Sequence, residues 1–171
     1  MHGGYHFTNC RSLRIETSIE RLSRIADYAH NKGILLLLEN LNWEPILAEV
    51  NYIPVTPSEC MHFFTEIQNP ALRWSFTANH AHFLPDVGIE KFIDAMDFSL
   101  CCEVRLADNN GSYESHLQPG EGSIDFGAMF KKIEGLGYKG HYTNGFGSID
   151  DMLIGRDYLV ARAKDAGVLI N

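Results

Sequence analysis

The stretch NKGILLLLEN, residues 31–40, joins two elements of different period. Upstream, residues 15–32 place Ile15, Ile19, Leu22, Ile25, Ala26 and Ala29 near helical spacing, which predicts an amphipathic helix. Gly33 stands where a helix commonly ends in the left-handed region. An unbroken apolar run follows at once and closes on Glu39 and Asn40. Such a run predicts a strand at 34–40, buried on both faces of a parallel sheet.

The same alternation extends to the end of the chain. A loop is expected at 41–55. Thr56, Pro57 and Glu59 spell a helix start with a capping box, and that helix is expected to reach Gln68. LRWSFT (72–77) reads as a strand, followed by a loop with His80 and His82 and a helix at 86–97. CCEVRLA (101–107) is a third strand, and 108–122 a polar, glycine-rich loop. A helix capped by Ser123 is expected at 123–137, a strand at 140–145, and a last helix at 148–167 capped by Ser148. Alternating strands and helices imply βαβ units in one domain, residues 1–171. In a parallel sheet the loops after the strands share one face, where α/β folds bind ligands.

Composition narrows the classes of function. At 171 residues the chain is long enough for a sizeable core. A net charge of −8 argues against a nucleic-acid partner, which needs a surplus of Lys and Arg. The four cysteines, Cys10, Cys60, Cys101 and Cys102, form no C-x-x-C pair and read as free thiols of a reducing, cytoplasmic compartment. MHGGYHF does not read as a signal peptide, and GILLLL is too short to span a membrane. No P-loop, dinucleotide fingerprint or G-x-S-x-G is present.

GILLLLEN, NHAHF, RLADNNG, HLQPGEGSIDF and GLGYKG, in this order, resemble the xylose-isomerase-like TIM-barrel superfamily. That group holds sugar isomerases and epimerases, inosose dehydratase-like enzymes and DNA-repair enzymes of the endonuclease IV type. The resemblance runs from about residue 1 to 167. It implies a partial (β/α) barrel of about five to six parallel strands with outer helices. MHGGYHF resembles the family's third-strand HPG segment, so the first two βα units are expected to be missing. Two open edges and an apolar interior would then be exposed, which calls for self-association or a partner that covers them.

The resemblance also implies a site. The sugar enzymes hold Mn²⁺ or Mg²⁺ with two carboxylates, a histidine and a final glutamate, and the metal assists proton transfer on a sugar or polyol. Glu39 matches the first ligand. The other three positions fall on Thr77, Arg105 and Gly145, so one ligand of four remains. A guanidinium cannot ligate a cation, and at about 4 Å with an effective dielectric near 20 it would repel a dication by roughly 8 kcal/mol. Arg105 is therefore expected to pair with Glu39 and take the metal's place as countercharge.

His80 matches a substrate-contacting histidine, and Glu39 and His80 are the residues expected to carry any chemistry. Arg105, His116 and Trp43 are the further substrate-binding candidates. A second possibility is a zinc-type site built from His80, Glu114 and His116, with His2 matching the histidine of HPG. The expected function is that of a sugar isomerase/epimerase-like protein with impaired metal-dependent chemistry. The alternative is a non-catalytic module for an anionic sugar or carboxylate. GEG (120–122) and NNG (109–111) read as turns, and Trp74 as core.

Overall fold

The computed structural model describes residues 1–7, 10–44, 50–145 and 147–169. In chain order the elements are β1 (Gly4–Phe7), α1 (Arg11–Asn31), β2 (Leu36–Glu39), β3 (Val50–Ile53), α2 (Pro57–Glu66), β4 (Leu72–Thr77), α3 (Ala78–His82), α4 (Gly88–Ala95), β5 (Cys101–Arg105), α5 (Phe126–Gly135), β6 (His141–Thr143) and α6 (Ile149–Asp165). Four strands form a parallel sheet in the order β2-β4-β5-β6, and β1 pairs with β3 in an antiparallel ribbon. The α/β partial-barrel architecture is present. Its strand inventory differs from the expected five to six parallel strands, because two of the six described strands run antiparallel outside the main sheet.

The helices form where local chemistry starts and stops them. Thr56 accepts from the Glu59 N–H while the Glu59 carboxylate reaches back to the Thr56 N–H, closing the expected capping box of α2. Ser148 and Asp151 do the same for α6. Gly33, with φ of 67°, lets the chain leave α1 after its last turn and enter β2. α1 begins four residues before the expected Ile15. α5 begins at Phe126 with Asp125 as its cap, not Ser123; the Ser123 hydroxyl is engaged by the Asn109 carbonyl and His82.

Side-chain alternation divides the sheet into two unlike faces. Leu38, Leu72, Trp74, Phe76 and Val104 are buried and face the helices, where they meet Phe63, Phe92, Phe130 and Ile133 in one apolar cluster. Trp74 lies at the centre, 5.3 Å from the Phe76 ring and edge-on to Phe98 at 5.2 Å. The opposite parity carries Leu37 and Glu39, then Arg73, Ser75 and Thr77, then Glu103 and Arg105, then His141 and Thr143. β4 and the end of β2 are buried on both faces as expected, with Ser75, Thr77 and Glu39 at most 3% exposed, but the expected apolar interior is corrected. The inner face is polar, so an open sheet leaves little apolar surface to water there.

Two further corrections concern the expected loops. Within 41–55, residues 50–53 form β3, paired with β1 through Gly4↔Ile53 to Phe7↔Val50, while residues 45–49 lie outside the described residues. The segment after β4 is not a loop but the short helix α3, which carries His80 and His82. Phe146, just beyond the expected strand 140–145, also lies outside the described residues. β5 takes one extra residue: Cys101 pairs with Trp74 and Glu103 with Ser75, so Cys102 bulges and the parity shifts. Beyond the far edge of the sheet, the Met1 backbone hydrogen-bonds to β2 through Leu37 O and the Glu39 N–H.

Candidate functional site

The C-terminal ends of β2, β4 and β5 bring Glu39, Thr77 and Arg105 to one rim. The registers Glu39↔Ser75 and Thr77↔Arg105 set their heights. Past Glu39 the ladder continues through a side chain. Asn40 accepts from the Thr77 N–H at 2.9 Å and donates to the Thr77 carbonyl at 3.0 Å, fully buried. This carboxamide fixes the end of β2 against the end of β4.

Glu39 is 3% exposed, and its carboxylate is spoken for. One oxygen accepts from the Thr77 hydroxyl at 2.7 Å; the other accepts from Arg105 Nη1 at 2.8 Å. The expected Glu39–Arg105 pair is thus present, with the guanidinium supplying the positive charge beside a buried anion. Arg105 also lies 3.6 Å from Glu103. His2 Nε2 stands 3.6 Å from the same Glu39 oxygen. Gly145 is exposed and offers no side chain. These positions do not fit a divalent ion: one carboxylate is available, and a fixed cation is bonded to it.

His80 connects this rim to a second cluster. Its Nδ1 lies 2.8 Å from the Asn40 carbonyl, which only accepts, so Nδ1 carries the proton. Nδ1 is also 3.6 Å from Glu39, while Nε2 faces Glu114 at 3.2 Å. His116 Nε2 lies 2.8 Å from the same Glu114 oxygen. Ligand atoms of His80, Glu114 and His116 lie within 4.8 Å of one another. The other Glu114 oxygen is buried and makes no hydrogen bond among the described residues. An N/O/N donor set of this kind fits a zinc-type ion, with the Nδ1–H bond to a carbonyl fixing the tautomer that frees Nε2.

Burial of the His80 ring works to lower its pKa. The hydrogen bond and charge of Glu114, the Asn40 carbonyl and the Glu39 charge outweigh it, and the net shift is upward. A raised pKa in the folded state means that His80 stabilises the fold fully below about pH 6.5, its ordinary value, and less as pH rises through the raised one. NMR titration should place the His80 ring above the ordinary imidazole range, and His80→Gln should abolish the extra stability on the acid side. A midpoint at or below the ordinary value would contradict this geometry.

Several contributors carry no local sequence signal. Asn40, Asn79 and Glu44 surround the clusters. The Glu44 carboxyl is raised by burial and then by the Glu114 charge, and it accepts from the Asn42 amide. The Asn79 side chain reaches Glu114 at 3.4 Å, and Asn109 holds the Asn79 carbonyl at 2.7 Å. Trp43 lies on the loop after β2, 36% exposed. Asp108 is not a ligand but a fastener. Buried, it accepts from the N–H groups of Asn109, Gly120 and Ile124 at 2.9, 2.9 and 3.1 Å. The GEG turn closes on it: a Cβ at Gly122 would sit 2.3 Å from Asp108 Oδ1 and 2.5 Å from the Asn109 carbonyl.

Residues 1–150 match the profile of the xylose isomerase-like TIM barrel family. The chain belongs to this family. A D-tagatose 3-epimerase-like protein superposes with a TM-score of 0.82 at 24% identity, over 94% of this chain and 58% of that one. An uncharacterised protein of Methanocaldococcus jannaschii, MJ1311, is 29% identical over 146 residues, 82% of this chain and 47% of its own length. Fructoselysine 3-epimerase of Escherichia coli O157:H7 is 24% identical over 124 residues, 72% of this chain and 42% of its own length. The chain thus spans about half the length of the curated relatives it matches. Among the described residues, no helix is long and apolar enough to cross a membrane.

Proposed function

We propose that this xylose isomerase-like chain binds a small polyhydroxylated, anionic ligand at the rim formed by β2, β4 and β5, without a metal on Glu39. The observation that carries this reading is the Arg105–Glu39 hydrogen bond of 2.8 Å, with Thr77 on the second oxygen. The family's metal-assisted proton transfer needs a carboxylate free to ligate or to accept a proton. Glu39 already accepts from the Arg105 guanidinium on one oxygen and from the Thr77 hydroxyl on the other, so neither oxygen is free. That chemistry is therefore impaired here.

Arg105 keeps about a third of its side chain exposed, so its remaining donors are available to a carboxylate or phosphate of the ligand. The His116 ring, 40% exposed, borders the same rim beside the buried His80, and Trp43 offers an apolar face for a sugar ring. The names of the relatives, a fructoselysine epimerase and a D-tagatose epimerase-like protein, favour a sugar-like ligand.

A second reading rests on the cluster of His80, Glu114 and His116. These three would hold a zinc-type ion, which would polarise an oxygen of a bound substrate. This chain's own part would be to keep His80 oriented through Asn40 and to hold Glu114 between the two imidazoles. A proton and a metal would compete for His80 Nε2.

Metal analysis and thermal shift on the purified chain separate the two. The expected result is no stabilisation by Mn²⁺ or Mg²⁺, and a rise of about 5–10 °C with a sugar acid at some hundred times its Kd, lost in Arg105→Ala. Stoichiometric Mn²⁺ that vanishes in Glu39→Gln would overturn the first reading. Stoichiometric zinc that vanishes in His116→Ala would establish the second.

A further inference from the structure

The polar inner face of the sheet carries a second carboxylate, and its oxygens are free. The registers set Glu39, Ser75, Glu103 and His141 side by side, one from each strand. Of the two acids in this row, Glu39 has both oxygens taken, by Thr77 and Arg105. Glu103 has neither. Its side chain is only 19% exposed, yet it makes no hydrogen bond among the described residues. Arg105 Nε lies 3.6 Å from it and His141 Nε2 3.9 Å, both beyond hydrogen-bond reach. Ser75, its neighbour in the row, is buried with its hydroxyl unpaired and donates nothing to it.

A recessed carboxylate is an acceptor on both oxygens, and a group that approaches it must bring donors. The neighbouring guanidinium narrows the class of ligand. Arg105 directs Nη1 at Glu39, which leaves its Nη2 end for an anion. The groups that hold the anion and take the donors are thus 3.6 Å apart, so both features belong on adjoining atoms of one molecule. Two hydroxyls on neighbouring carbons match the two oxygens of a carboxylate. The Arg105 charge offsets the repulsion between Glu103 and the ligand's own acid group. We propose that Glu103 binds a vicinal diol, and that the ligand is a sugar acid whose diol lies next to its acid group. This rests on the anionic-ligand reading of the rim and adds to it the residue that recognises hydroxyls.

Isothermal titration of the whole chain with D-gluconate and with 2-deoxy-D-gluconate tests this. The deoxy acid keeps the carboxylate and lacks one hydroxyl of the diol beside it. The unmutated chain should bind gluconate about tenfold more tightly than the deoxy acid, as expected for a hydrogen bond to a charged group. Glu103→Gln should weaken gluconate binding about tenfold and leave the deoxy acid within about twofold. Its melting temperature should hold, since the lost carboxylate makes no hydrogen bond. Equal binding of the two acids by the unmutated chain would overturn the proposal and leave the anionic-ligand reading standing. So would an equal loss of both acids in Glu103→Gln, with or without a fall in melting temperature, because Glu103 would then only support Arg105. Binding of neither acid would overturn that reading, and the proposal with it.

Discussion

Arg105→Ala is expected to lower stability by about 2–4 kcal/mol, far more than a surface ion pair would cost. The asymmetry of the pair explains the size. The Glu39 side chain is 4% exposed and that of Arg105 is 36% exposed, so removing the guanidinium strands an anion in the interior. Thr77 brings no charge, and the His2 and His80 rings, each 3.6 Å from Glu39, bring one only when protonated. Removing the carboxylate instead leaves Arg105 near Glu103 and solvent, and Glu39→Gln should cost less than half as much. In the double variant most of the loss should be recovered, because no buried charge is left unpaired. Urea unfolding of the four proteins in a double-mutant cycle reads the coupling directly. A loss below about 1 kcal/mol for Arg105→Ala would mean that Glu39 does not depend on Arg105 for a countercharge, and the metal-free account of the rim would fail.

Asp108→Ala should be comparably severe, about 3 kcal/mol or more, by a different route. It strands three backbone N–H groups, on Asn109, Gly120 and Ile124, two of them on buried residues. The carboxylate draws 108–124 into a closed loop, on which Glu114 and His116 stand. Hydrogen exchange should therefore quicken across 109–124 while β2 and β4 stay protected. Asp108→Asn should fall between, since a carboxamide keeps one acceptor oxygen. If the loop stays protected in Asp108→Ala, the antiparallel backbone bridge between residues 108 and 117, with the Gly122 contact, suffices to hold it, and the fastening role is wrong.

Much of the scaffold could be read from the chain because its signals are local. Thr56-Pro57-Ser58-Glu59 and Ser148 to Asp151 each complete a cap within four residues. LRWSFT alternates Leu72, Trp74 and Phe76 with Arg73, Ser75 and Thr77, a two-faced pattern that reading it only as a strand leaves unused. β2 hid it, because its leucines fill both parities. β3 was missed for a physical reason. Its partner β1 lies over forty residues away, and nothing in VNYI distinguishes a paired strand from a loop. The site divides similarly. Glu39, His80, Arg105, Glu114 and His116 are marked out by the resemblance of their segments to the family's motifs. Asn40 is not, because an asparagine that rivets two strands reads like any loop asparagine until its partner is known.

That Asn40 rivet has a consequence for how the mouth of the sheet responds to its surroundings. A carboxamide has no proton to gain or lose between acid and base, and it owes nothing to a bound cation. The Asn40–Thr77 tie between the tips of β2 and β4 is thus itself independent of pH, chelators and salt. When His80 takes up or releases its proton, charge changes inside a frame that keeps its dimensions.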